Sequence, residues 1–164
     1  MGRLSRNNRK GYTMKISLGN DHAGFPMKAF VREVLDDLGV EYIDHGCHSN
    51  EPVDFPDVVQ AVCASVVDGD AERGLLVCGT GIGASIAANK IPGIRAALIH
   101  DGHCAHQSVE HDDANVMCIG AQIIGPWLAK DLIRIYLDAR FAAGDADFAR
   151  RVKKLSDMER STRS

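Results

Sequence analysis

Five short apolar runs alternate with segments of helical period along the 164 residues. That alternation predicts an α/β fold, a three-layer α/β/α, Rossmann-like domain built on a five-stranded parallel sheet. Two further observations support it. Prolines stand near the starts of the helical segments and glycines after their ends, and the chemically active residue types gather directly after the apolar runs, where the strands of such a sheet finish.

Residues 15–19 read as the first strand. Met27, Phe30, Val31, Val34, Leu35 and Leu38 follow at helical spacing, with Pro26 suited to a first turn and Gly39 to a C-terminal stop. Residues 40–44 make a second strand and 45–56 are turn-rich. Val58, Val59, Val62, Cys63 and Val66 then mark a second helix that stops near Gly69. Residues 74–78 form the third strand, followed by Gly79-Thr80-Gly81-Ile82-Gly83 and an Ala-rich helix over 84–90. Pro92-Gly93 turns the chain into a fourth strand at 94–99, with a helix over 104–111 behind it. A fifth strand at 116–119 and helices over 126–139 and 146–160 complete the pattern, which contains no internal repeat and does not set the strand order. By length this is one domain, residues 14–160. Residues 1–13, with Arg3, Arg6, Arg9 and Lys10 among Ser, Asn and Gly, are expected to be a flexible extension ahead of a second Met14, and 161–164 a tail.

Composition narrows the function classes. A formal net charge of -3 and a pI near 6.1 leave no broad basic field, which argues against nucleic acid or an anionic membrane as partner. No apolar stretch is long enough to span a bilayer. The five cysteines are odd in number and lack Cys-x-x-Cys spacing, and no signal-peptide pattern precedes them, so free thiols in a reducing cytoplasm are expected. The remaining partner class is a small molecule.

The most informative stretch joins the third strand to its helix. Cys78 stands where an apolar run meets a loop with three glycines in five residues, Gly79, Gly81 and Gly83. A cysteine at a strand end is commonly just a small buried hydrophobe, and Cys63 and Cys118, set within apolar periodicity, read as core. The glycine loop changes the reading for Cys78. Backbone amides at a helix start converge on one point and favour an anion there, whether phosphate, carboxylate or developing enediolate, and they also favour thiolate over thiol.

Other readings compete for the same letters. Gly79-x-Gly81-x-x-Ala84, with Asp101 about 20 residues on, fits a dinucleotide fingerprint, but it sits on the third strand rather than the first and leaves little room for a substrate domain. His103, His106 and Glu110 share a helix face at metal-ligand spacing, yet a solvated helix face produces the same pattern and no His-Glu-x-x-His is present. No metal and no cofactor is therefore expected. A non-catalytic sugar-binding protein is the remaining alternative.

Several separated motifs resemble one family. Gly19-Asn20-Asp21-His22-Ala23-Gly24-Phe25, Cys78-Gly79-Thr80-Gly81-Ile82-Gly83, Ala87-Ala88-Asn89-Lys90, Gly93-Ile94-Arg95-Ala96-Ala97 and Glu110-His111-Asp112-Asp113-Ala114-Asn115-Val116 are similar to those of ribose-5-phosphate isomerase B and the related galactose-6-phosphate and allose-6-phosphate isomerases. The resemblance runs unbroken from about residue 15 to 157. It implies a metal-free aldose–ketose isomerase with a three-layer fold, working as a dimer or tetramer with sites at a subunit interface. It further implies Cys78 as the base, with the amides of Gly79, Gly81, Ile82 and Gly83 and the Thr80 hydroxyl on the enediolate. His111 matches the residue that opens the sugar ring, and Asp21 and His22 the sugar-contacting pair.

The match breaks at the positions that would hold a phosphate. Asp112 stands where the family usually has Asn, and Gln122 where it usually has Arg. Near the C-terminus, two extra residues leave only Arg151 aligned with the second of two family arginines. Guanidinium groups hold phosphate bidentately and Gln or Asp cannot. The default substrate is ribose 5-phosphate, and the altered clamp makes a different tetrose, pentose or hexose, perhaps differently phosphorylated, the alternative.

Overall fold

The computed structural model describes residues 12–161. The expected extension at 1–13 lies outside them except for Tyr12 and Thr13, and Tyr12 packs against the core and donates to Asp138 Oδ1 at 2.5 Å. The expected tail is outside them save Ser161, which closes the last helix.

All five expected strands pair in one parallel sheet. They are β1 (Lys15–Asn20), β2 (Glu41–Asp44), β3 (Arg73–Cys78), β4 (Ala96–Leu98) and β5 (Val116–Gly120), in spatial order β2-β1-β3-β5-β4. The chain runs from β1 outward to β2, then crosses back over β1 to β3. This reversal opens a crevice between the carboxyl ends of β1 and β3, the place where such sheets bind ligands.

Among the described residues six helices complete the fold. On one face α1 (Phe25–Leu38), α4 (Gly102–Glu110) and α5 (Pro126–Asp138) cover a core of Ile16, Leu18, Leu35, Met117, Ile133 and Tyr136. On the other, α2 (Phe55–Val67) and α3 (Ile82–Ala88) cover Leu76, Val116, Cys63 and Cys118. Central strands buried on both faces explain their uninterrupted apolar runs. The last helix, α6 (Ala146–Ser161), has no buried residue.

Three elements depart from expectation by two residues: α4 starts at Gly102 rather than 104, and β4 and α3 shift for local reasons. Gly93, at φ +81°, closes a turn in which Ile94 N–H donates to Ile91 O at 3.2 Å, so β4 pairs only from Ala96. The Ala-rich helix starts two residues early, at Ile82, because Gly81 at φ +78° accepts from Ser85 N–H at 3.0 Å, and it ends at Ala88. Asn89 then bonds both the N–H and the C=O of Ala96, at 2.9 and 2.8 Å, lending the edge strand a side-chain partner.

Candidate active site

The crevice is built by backbone meeting backbone. Asn20 pairs with Val77 in the ladder, and Asp21 N–H donates to Val77 O at 3.3 Å, which delivers the Asp21 side chain beside Cys78. The Cys78 thiol donates to Asp21 Oδ2 at 2.9 Å, while Asp21 Oδ1 accepts from Gly24 N–H at 2.8 Å. Gly24 is required at this point, since a Cβ there would lie 2.0 Å from Val77 O. Asp21 is only 6% exposed, so its carboxylate is shielded from water.

This arrangement corrects one expectation. The thiol of Cys78 is pushed up, not down, first by burial and then by the hydrogen bond to Asp21 and the carboxylate's charge; the amides of Gly81 and Gly79 pull weakly the other way. The glycine loop does turn amides toward sulfur, as expected, but burial and the adjacent carboxylate outweigh them.

Around the sulfur, the loop places several expected residues. Thr80 is exposed, and its Oγ1 accepts from Ile82 N–H at 3.3 Å, leaving the hydroxyl proton free to donate while engaging the Ile82 amide. Gly83 packs against the Phe55 ring. Gln122 arrives from the loop after β5, with its N–H on Gly79 O at 3.0 Å and its side-chain oxygen over Gly79. His22 is half-buried and its Nδ1 accepts from Val53 N–H at 3.2 Å, so the neutral ring carries its proton on Nε2.

One supporting residue escaped the sequence reading. Lys28, 5% exposed, pairs with Asp44 at 3.0 Å and donates to Cys47 O at 2.8 Å, pinning the loop after β2 beneath the crevice. A lysine inside an apolar helical stripe was the available signal. His100 Nε2 accepts from Gly120 N–H at 3.0 Å, beside the Cys78–Gly120 pair. Asp101, the acidic partner of the dinucleotide reading, is instead the N-cap of α4, accepting from Cys104 N–H at 2.8 Å.

His111, Asp112 and Arg151 are not brought to Cys78. They lie toward the amino end of the sheet, where Val116 pairs with Gly74, four residues and roughly 13 Å along the strands from Cys78. There they form a second cluster. His111 stacks on Phe148 with centroids 4.0 Å apart, Arg151 lies over the same ring at 5.8 Å, and Gln107 Nε2 sits 3.0 Å from His111 Nδ1. Asp112 lines an adjoining cavity of about 640 Å³ beneath α6, with Lys90, Arg95, Ser108 and Glu159. The neighbouring Asp113 and Asn115 are structural: Asp113, at φ +52°, and Asn115 hold the Arg95 side chain and backbone. His103 and His106 are exposed, and His106 pairs with Glu110 at 3.3 Å.

The family model for ribose/galactose isomerases matches residues 16–155, a span that includes both clusters. The chain belongs to this family. Among its members, the ribose-5-P isomerase B of Listeria innocua is 43% identical over 131 residues, covering 80% of this chain and 88% of that protein. A D-erythrulose-4-phosphate isomerase of Pectobacterium atrosepticum is 37% identical over 147 residues, covering 89% and 95%. The solved structure of Clostridium thermocellum ribose-5-phosphate isomerase B superposes with a TM-score of 0.87 at 42% identity, covering 91% of this chain and 99% of that one. A ribose/galactose isomerase fold thus carries the thiol and carboxylate at its switch point, and among the described residues no helix is long and apolar enough to cross a membrane.

Proposed function

We propose that this chain is a cytoplasmic aldose–ketose isomerase that interconverts a phosphorylated sugar through an enediolate, with ribose 5-phosphate to ribulose 5-phosphate as the default reaction. The observation that carries it is the Cys78 sulfur at the sheet's switch point, facing a loop whose amides turn toward it. Cys78 takes the proton beside the sugar carbonyl and returns it one carbon along. Amides of Gly79, Gly81 and Gly83, with the Thr80 hydroxyl, hold the enediolate oxygens; one such donor contributes roughly 3 kcal/mol. His22, with its Nδ1 held by the Val53 N–H, keeps its Nε2–H as the donor to the sugar.

Ring opening and phosphate binding need the second cluster, and within one chain it stands at the far end of the sheet. The site is therefore completed by a second copy, which supplies His111 for ring opening, with Asp112 and Arg151 beside the phosphate. Exposed apolar residues near the Cys78 end, Ile82, Ile86, Ile123 and Trp127, the last 85% exposed, suit burial against that copy.

A second reading of substrate rests on Gln122 and Asp112. Both stand at clamp positions without a guanidinium, and a relative that matches almost its whole length acts on D-erythrulose 4-phosphate. Ketose formation measured over tetrose, pentose and hexose phosphates and their free sugars, for wild type and Cys78→Ala, tests both readings. Turnover of ribose 5-phosphate that Cys78→Ala lowers by about 1,000-fold or more supports the default. Turnover of another aldose alone moves the assignment to that sugar, and a fully active Cys78→Ala overturns the mechanism.

A further inference from the structure

The carboxylate of Asp21 has more to do than touch a sugar. Its two oxygens are both committed inside the protein: Oδ1 to the Gly24 amide at 2.8 Å and Oδ2 to the Cys78 thiol at 2.9 Å. The residue is buried, and it is carried to this position by the β1–β3 ladder rather than by a mobile loop. The titratable groups on the neighbouring elements are otherwise engaged, His100 Nε2 by the Gly120 N–H at 3.0 Å. Cys118 and Cys63, on the strand and helix packed behind it, are held protonated by burial. His22 turns its Nδ1 to Val53, and Lys28 is tied to Asp44.

We propose that Asp21 is the proton acceptor for the Cys78 thiol, so that the base of the reaction is a Cys78–Asp21 pair holding one proton and one negative charge between them. This rests on the reading of Cys78 as the base. A second proton loss would place two negative charges 2.9 Å apart, so passing the proton within the pair is favoured over losing it. When a sugar is seated, the S–H bond breaks, the proton passes to Asp21 Oδ2 and the electron pair stays on sulfur. The thiolate then takes the proton beside the carbonyl. That C–H pair becomes the enediolate double bond, the carbonyl pair goes to oxygen, and the hydroxyl proton crosses between the two oxygens. Cys78 returns its proton to the neighbouring carbon, and Asp21 returns the borrowed one to sulfur. No oxidant or reductant is consumed. Asp21 acts through Cys78 and is a positioning residue in that sense.

Asp21→Asn keeps the shape and the acceptor for Gly24 while removing the charge, and the pH profile of kcat separates the possibilities. Without the carboxylate the thiolate forms only by losing its proton to solvent, so kcat at pH 7 falls about 100-fold or more and climbs with pH toward the ionisation of the thiol, where the wild-type profile is flat, while KM stays within about threefold. A raised KM with kcat intact makes Asp21 a sugar contact only and overturns the proposal, as does a kcat profile that does not become pH-dependent. If Asp21→Asn does not fold, the wild-type S–H infrared band, assigned by its loss in Cys78→Ala, decides. A band lowered and broadened relative to the Cys63 and Cys118 thiols supports the hydrogen bond to a carboxylate, and a free-thiol position overturns it. Failure of the underlying reading would look different, as an active Cys78→Ala.

Discussion

At the scale of single residues, the site depends on places where no side chain can fit. Gly24 allows α1 to start against β3, and an added methyl would meet a backbone carbonyl that has no room to move. Gly24→Ala is expected to lose about 3 kcal/mol or more of stability, measured by denaturant unfolding, because relieving the clash means parting β3 from α1. Gly81 is a different case. Its φ of +78° is left-handed, and a Cβ would lie 2.6 Å from the tip of Leu98, which can swing away, and 3.0 Å from the Ile119 backbone, which cannot. Strain of about 1–2 kcal/mol follows. Gly81→Ala should therefore fold, yet lose about 100-fold in kcat as its amide is displaced from the sulfur, a loss that steady-state kinetics at equal folded fraction would register.

Among the elements, the loop after β2 depends on one buried cation. Lys28 reaches from α1 to Asp44 and to the carbonyls of Cys47 and Gly46, so a neutral replacement leaves the carboxylate without its counter-ion and both carbonyls short of a donor. Lys28→Met is expected to cost about 3 kcal/mol, and thermal unfolding should fall by on the order of 10 °C. An unchanged melting temperature would mean that water replaces the ammonium without loss. This residue also marks where sequence reading stops. The strands and helices were readable because apolar period and the Pro and Gly stops act locally, within one turn or one strand. Cys78, Asp21 and Gln122 could be placed at one end of the sheet for the same reason, each following a strand. Lys28 could not be paired with Asp44, nor His100 with Gly120, because those contacts depend on strand order, which no local pattern encodes. The sign of the Cys78 shift was lost likewise: the helix start is local, while the burial of the thiol and the Asp21 carboxylate, 57 residues away in the chain, come from the assembled fold.

For the whole molecule, the decisive fact is that the two residue clusters lie at opposite ends of one sheet. A two-fold pairing that sets the carboxyl end of one chain against the α6 end of the other would bring Cys78 beside the partner copy's second cluster, twice over, because a residue of each copy meets the same counterpart on the other. The unburied α6, with Leu155 and Met158 exposed, and the exposed Trp127 and Ile82 give such a pairing apolar surface at both ends. The arrangement predicts complementation. Cys78→Ala and His111→Ala should each be inactive alone. Produced together, they form mixed dimers in which one site joins an intact Cys78 to an intact His111 and the other joins two alanines. With random pairing, half the dimers are mixed and half of their sites intact, so activity should return to roughly a quarter of wild type. Were both residues drawn from one chain, every site in the mixture would still lack one of them, and activity would stay at the level of the single variants.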